Sequence, residues 1–251
     1  MTALDTRGPV LFVHAHPDDE TISTGALIAE LRAGGTEVFL LTATRGERGD
    51  VVPGPLSGLE GTDALAEARE SELQCASDAL GVTERFWLGH GPARAHGLRP
   101  RRYRDSGMTW IRPGLAGPAD DVPHDALAVA PLPEVAADLA ALIAHLHPTL
   151  VVSYDNGGGY GHPDHVQSHR AARSASGSHG VTFAEIVQAP EPQAEWFVLD
   201  RWIDTVTNAL RCHSSQLTVH GGDIVHCGGQ REPIRTSVGL RVLGPQSVSL
   251  V

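Results

Sequence analysis

The chain predicts an α/β protein built on a mainly parallel sheet with helices on both faces. Three observations carry that expectation. Short apolar runs alternate with longer stretches of helical periodicity. The runs are bunched, as in strands buried on both faces, and do not alternate apolar with polar. One of them, at residues 10–14, ends abruptly in a cluster of His and Asp, and another, at 149–154, runs through a glycine-rich loop into a second such cluster. The carboxyl ends of parallel strands are where α/β proteins place ligands.

The first strand is expected at residues 10–14, from the run Val10, Leu11, Phe12, Val13. A helix over 17–32 follows, with Ile22, Ala26, Leu27, Ala29 and Leu31 apolar, and stops at Gly34 and Gly35. A second strand fits 37–43, then a turn-rich loop over 44–61. A helix over 63–80 is apolar on one side (Leu65, Ala68, Leu73, Ala76, Leu80) and ends at Gly81. A third strand fits 85–88. Residues 89–129 read as a long irregular segment rich in Gly, Pro and Arg, and loops of that length are usually functional or disordered. A helix over 131–146 carries Val135, Leu139, Leu142 and Ile143 on one face, and a strand over 149–154 follows. A helix over 163–175, a strand over 181–187 and a helix over 199–212 complete the alternation. The tail from Leu217 has Val, Ile and Leu runs between glycines, suited to edge strands or a small β flap.

At 251 residues the chain is expected to be one domain, with a catalytic core at about 8–188 and a C-terminal lid or edge segment at about 189–251. A formal net charge of −11 argues against a non-specific nucleic-acid partner or an anionic membrane surface. Cys75, Cys212 and Cys227 are scattered without a CxxC pair, which predicts no disulfide framework and a reducing compartment. The opening MTALDTRGP lacks the basic n-region of a secretory signal, and no stretch has the length of a membrane span. A cytoplasmic location is the expectation, and a homo-oligomer is left open.

The chemistry concentrates in VHAHPDDE and in YDNGGGYGHPDH. His16, Asp19 and His165 make a two-histidine, one-carboxylate set, which suits a catalytic Zn²⁺ and is compatible with Fe²⁺. Taken alone, HPDD is more often a helix N-cap than a ligand set. The pairing of two strand ends, each delivering His-Pro-Asp with a three-residue offset to the next ligand, shifts the reading to metal. Asp18 points away from Asp19 as its sequence neighbour, so it is free to act as general base on a water acidified by the ion. Its alternative role is a simple N-cap. His162, as a cation, would stabilise an oxyanion and protonate a leaving amine. Asp164 would orient or neutralise it, with a solvated loop carboxylate as the alternative, and Tyr160 adds either a hydroxyl donor or packing.

Together VHAHPDDE, TRGERG, LAEARESEL followed by LG, RDSGM and YDNGGGYGHPDH resemble the PIG-L/LmbE-like zinc-dependent N-deacetylases, over roughly residues 8 to 175. The closest likeness is to the branch that deacetylates a GlcNAc–inositol in mycothiol biosynthesis, with its mycothiol-conjugate amidase relatives. The resemblance implies a Rossmann-like sheet with a C-terminal lid. It makes His16, Asp19 and His165 metal ligands, Asp18 the base, His162 the oxyanion and acid residue, and Tyr160 its neighbour. Arg69, Asp105 and Asp50, with Met108 of RDSGM, match positions that meet the sugar. Without the resemblance, Arg69 reads as a surface ion-pair residue and Asp105 as a turn cap. His213 is expected to support the site from behind the ligands without touching the ion.

The activity so implied is hydrolysis of the acetamide of an N-acetylglucosamine glycoside, a small-molecule substrate, to free amine and acetate. An amidase for a larger mycothiol-type thiol conjugate is the runner-up, beside a deacetylase of a specialised-metabolite pathway. A nucleotide-binding oxidoreductase fails because the first strand leads into His-Pro-Asp-Asp and not into a Gly-x-Gly-x-x-Gly turn. A non-catalytic binding module would need a closed metal shell or the loss of Asp18.

Overall fold

The computed structural model describes residues 8–244. The opening segment, read above as lacking a leader, lies outside the described residues up to position 7, as does the tail beyond 244. In chain order the elements are β1 (Val10–His14), α1 (Asp19–Ala33), β2 (Val38–Thr42), α2 (Asp63–Leu80) and β3 (Glu84–Trp87). Next come β4 (Met108–Arg112), β5 (Leu115–Pro118), α3 (Leu132–Leu146), β6 (Leu150–Ser153), the single turn α4 (Gly158–Gly161) and α5 (Pro163–His179). The chain continues with β7 (Thr182–Val187), β8 (Glu195–Val198), α6 (Ile203–Cys212), β9 (Leu217–His220), β10 (Asp223–His226), β11 (Arg231–Pro233) and β12 (Ser237–Leu243).

Seven strands form the central sheet in the order β3-β2-β1-β6-β7-β12-β8. β3, β2, β1, β6 and β7 run parallel, and β12 is antiparallel to both β7 and β8. Alternate side chains of β1 enter two cores, one on each face. Val10 and Phe12 pack with Leu27, Leu40 and Val152, whereas Leu11 and Val13 pack with Leu41, Leu139 and Val151. Cover on both faces is the physical reason for the bunched apolar runs. The chain lays β2 and β3 on one side of β1 and β6 and β7 on the other. The crevice between the carboxyl ends of β1 and β6 is therefore the switch point where such sheets bind ligands. Val10, Leu11 and Phe12 pair in register with Leu150, Val151 and Val152, so the two His-Pro-Asp segments emerge side by side.

Several elements depart from expectation. α1 begins at Asp19, two residues late, because Asp18 has φ 105°, which no helix accommodates. α5 runs on to His179 and stops where Gly180 takes the left-handed conformation. The irregular segment 89–129 is anchored: Arg94 Nη1 donates to Glu134 and Asp138, and the Tyr103 hydroxyl donates to Asp138, at 2.8 Å each. It also contains the β4–β5 hairpin. Beyond residue 188 the chain adds β8 and β12 to the central sheet and folds β9, β10 and β11 into a small antiparallel one. Leu217, Ile224 and Ile234 of that small unit are buried in the same cluster as Leu27.

The cysteine expectation is corrected. Cys75 on α2 and Cys212 at the end of α6 form a disulfide, with Cα atoms 5.7 Å apart across 137 residues of sequence. α2 and α6 pack side by side, and nothing in the spacing of the two cysteines reveals that neighbourhood. The argument from scattered thiols to a reducing compartment falls with it. No helix among the described residues is long and apolar enough to cross a membrane.

Candidate metal centre and active site

β1 ends at His14, which is fully buried and bonded through Nε2 to Thr24 Oγ1 at 3.0 Å. Burial pushes its pKa down to about 4, so it serves as a neutral packing residue beneath the site. His16 and Asp19 follow at the strand's carboxyl end, and His165 arrives one turn into α5. His16 Nδ1 lies 3.3 Å from Asp19 Oδ2 and 3.3 Å from His165 Nε2, and the last two atoms are 3.4 Å apart. A tetrahedral Zn²⁺ with N and O ligands at about 2.0–2.1 Å needs ligand atoms about 3.3–3.4 Å from one another. The three expected ligands meet, and their spacing fits the ion.

The surrounding bonds point each ligand inward. His165 Nδ1 donates to the Gly158 carbonyl at 3.2 Å, which leaves Nε2 as the ligand atom. Gly158, at φ 67°, must be glycine here, since a Cβ would stand 2.9 Å from His165 Cβ and from the Val166 backbone nitrogen. His16 Nε2 donates to Asp164 Oδ2 at 3.1 Å, which leaves Nδ1 for the ion. Asp19 Oδ2 accepts from the His16 amide at 2.9 Å and from the Tyr154 hydroxyl at 2.7 Å. Burial opposes charge on His16, but Asp105, Asp164 and Asp19 outweigh it and raise the imidazole's pKa well above its usual value. Buried carboxylates in excess of cations are what a divalent ion would neutralise.

Asp18 occupies the N-cap position of α1, yet its side chain makes no capping bond. Its carbonyl starts the helix by accepting from Thr21 and Ile22, while its amide donates to Glu20 Oε2 at 3.0 Å. The carboxylate is thus free for chemistry. Burial, then the adjacent Asp19, lift its pKa to about 7, near the optimum for a general base at neutral pH. Glu20 is itself held by His213, whose Nε2 is 3.0 Å from Glu20 Oε1, and both are fully buried.

Two expectations about the second motif are corrected. His162 is not a cation: burial, then His16 and His165, push its pKa down to about 2. Its Nδ1 accepts from the Asp164 amide at 3.2 Å, so the proton sits on Nε2. His162 also lies close enough to His16 and His165 to join a ligand group, with ligand atoms within 4.8 Å of one another. Asp164 is fully buried and does not orient His162 with its side chain. Its carboxylate takes His16 Nε2–H, the Ser106 amide at 2.9 Å and the Ser106 hydroxyl. Tyr160 sits beside the site, 37% exposed, with its ring centroid 5.1 Å from that of His165.

The residues expected to meet the sugar separate. Asp105 is buried against the site, with Oδ1 3.7 Å from His16 Nε2, and it also accepts from the Gly107 and Arg48 amides. Met108 follows at the start of β4, partly exposed, and Asp50 is exposed. Arg69 is neither a surface ion pair nor a free guanidinium. It is 2% exposed and donates to the carbonyls of Gly46, Gly49 and Asp50 and to Ser215 Oγ. It braces the loop that carries Asp50. Sequence reasoning assigned no role to Tyr154 and Ser106, whose only signals were their places within YDNGGGYGHPDH and RDSGM.

The class so defined is an α/β protein with a mainly parallel sheet, whose switch point gathers a His/Asp cluster that fits a metal site. Residues 11–176 match the family model PIG-L, GlcNAc-PI de-N-acetylase. The chain belongs to the PIG-L family. It is 46% identical over 207 residues to the 1D-myo-inositol 2-acetamido-2-deoxy-alpha-D-glucopyranoside deacetylase of Kineococcus radiotolerans, covering 76% of this chain and 55% of that protein. The protein of the same name from a Nocardioides species is 45% identical over 169 residues, covering 66% and 53%. The chain therefore spans about half the length of these curated relatives. Among solved structures, a deacetylase of the teicoplanin biosynthesis pathway superposes with a TM-score of 0.62 at 22% identity, over 96% of this chain and 100% of that one. N,N'-diacetylchitobiose deacetylase from Pyrococcus horikoshii gives 0.57 at 22%, over 82% and 69%. Both share the fold.

Proposed function

We propose that the protein hydrolyses the acetamide of an N-acetylglucosamine glycoside, releasing acetate and a free amine. The observation that carries this reading is the triangle of His16 Nδ1, His165 Nε2 and Asp19 Oδ2, with the uncapped Asp18 carboxylate beside it. The names of the relatives support the substrate class.

His16, Asp19 and His165 would hold Zn²⁺, with Fe²⁺ compatible, and the ion would supply Lewis acidity toward the acetyl carbonyl and lower the pKa of the attacking water. Asp18 takes the proton of that water as its oxygen bonds to the acetyl carbon. His162, neutral, offers Nε2–H to the oxyanion. The carbon–nitrogen bond then breaks, the proton held on Asp18 passes to the nitrogen, and acetate and amine leave. Asp164 and Tyr154 keep His16 and Asp19 in place throughout.

The test is acetate release from GlcNAc, GlcNAc–inositol and a GlcNAc-bearing nucleoside or aminoglycoside precursor. Zn²⁺- and Fe²⁺-loaded enzyme would be run beside Asp18→Ala. Metal-dependent release that vanishes in the variant is the expected result. Tight metal binding with no acetate from any substrate would overturn the reading.

A further inference from the structure

The β4–β5 hairpin lies against the turn α4 at the mouth of the site. Gly161, at φ 92°, makes this approach possible, since a Cβ there would stand 2.8 Å from the Ala116 carbonyl oxygen. Ala116 pairs with Trp110 across the hairpin. The Trp110 ring is thereby set 5.7 Å from that of Tyr160, at an interplanar angle of 32°. Tyr160 in turn reaches the rings of His162 and His165 at 6.1 and 5.1 Å. A line of rings runs outward from a metal ligand to the surface.

Its outer end is Trp110, 48% exposed. One exposed apolar side chain needs no explanation. Two neighbouring aromatic rings tilted against each other, the outer one half exposed and the inner one 37% exposed, form a surface beside the candidate site that can receive a ring. Ile111 is more exposed still at 65%, but its Cδ1 would stand 2.6 Å from a Cβ on Gly117, so it lies over the hairpin's own backbone.

We infer that Trp110 is a specificity-determining residue. It stacks on the six-membered ring of the group joined to the N-acetylglucosamine, and so selects two-ring substrates over a simple glycoside. The inference rests on the proposed deacetylase reading of the site. What Trp110 recognises is a ring face that offers C–H groups or a π system to the indole. A cyclitol or second sugar supplies the first and an aryl group the second.

The experiment compares the methyl glycoside of GlcNAc, GlcNAc–inositol and an aryl GlcNAc glycoside, with wild type, Trp110→Ala and Trp110→Phe. For ring-bearing substrates, Trp110→Ala should lose about tenfold in kcat/KM, mainly through KM. The methyl glycoside should change little, and Trp110→Phe should recover part of the loss. The cyclitol and aryl arms show which ring face is preferred. An equal loss on all three substrates would mean that Trp110 only holds the hairpin, and would overturn the inference. So would a wild type without ring preference. If wild type deacetylates none of them, the parent reading fails, but binding of the same glycosides by saturation-transfer NMR still tests the shelf. Ring-bearing ligands that bind Trp110→Ala more weakly than wild type would support it, and equal binding would sink it.

Discussion

Asp18 combines three features that one residue seldom shows: a left-handed backbone, an N-cap position without a capping bond, and a carboxyl raised by burial and by Asp19. Each costs stability, as expected of a group retained for chemistry. Asp18→Gly should therefore raise the free energy of unfolding by about 1–2 kcal/mol, read from urea midpoints, while abolishing acetate release. Asp18→Ala should lose the activity too, by at least about a hundredfold, with metal content unchanged. A variant that lost its metal as well would return Asp18 to a structural role. Asp164 acts one bond further out, on His16 Nε2. Asp164→Asn should weaken metal affinity by about 10–100-fold, measured by competition with a chelator.

At the scale of elements, the Cys75–Cys212 disulfide ties α2 to α6 immediately before His213, which reaches Glu20, and Ser215, which meets Glu72 and Arg69. Closing so long a loop is worth up to about 5 kcal/mol in chain entropy. Reduction should lower the urea midpoint accordingly, and Cys75→Ser should show the same midpoint with or without reductant. The β10–β11 hairpin carries a pH-dependent pair, with His226 Nε2 2.8 Å from Glu232 Oε1. The bond to Glu232 raises His226, and the same bond lowers Glu232. The His226 contribution is complete below its ordinary value of 6.5 and is lost as pH climbs through the raised one. The Glu232 contribution is complete above its ordinary value of 4.5 and is lost as pH falls through the lowered one. Hydrogen exchange in this hairpin, corrected for intrinsic rate, should be slowest between those two values. The effect amounts to some tenths of a kcal/mol, since the pair is partly exposed. Glu232→Gln should flatten the dependence.

For the molecule as a whole, the proposed ligand triangle of His16, Asp19 and His165 exists only in the folded state, so an ion held there would couple to global stability. Zn²⁺ at about a hundred times its Kd should stabilise the fold by about 2.7 kcal/mol, a rise of roughly 5–10 °C in Tm for a chain of this size. Asp19→Ala should remove most of that shift in a thermal melt. An undiminished shift would place the ion elsewhere.

The sequence by itself determined the alternation of strands and helices, the two carboxyl ends that bear His-Pro-Asp, and the choice of His16, Asp19 and His165 as the proposed ligands. These are local signals: period, glycine stops, and motifs contiguous in the chain. Only the tertiary structure decided what those residues are bonded to, because the partners lie far apart in sequence. Ser106 finds Asp164 across 58 residues, Tyr154 finds Asp19 across 135, and His213 finds Glu20 across 193. The same distance hid the disulfide. It also turned Arg69 from an apparent surface charge into a buried brace, and made His162 neutral by surrounding it with imidazoles and excluding water. Charge state and orientation depend on what packs around a group, and packing is settled only when the sheet closes β1 against β6.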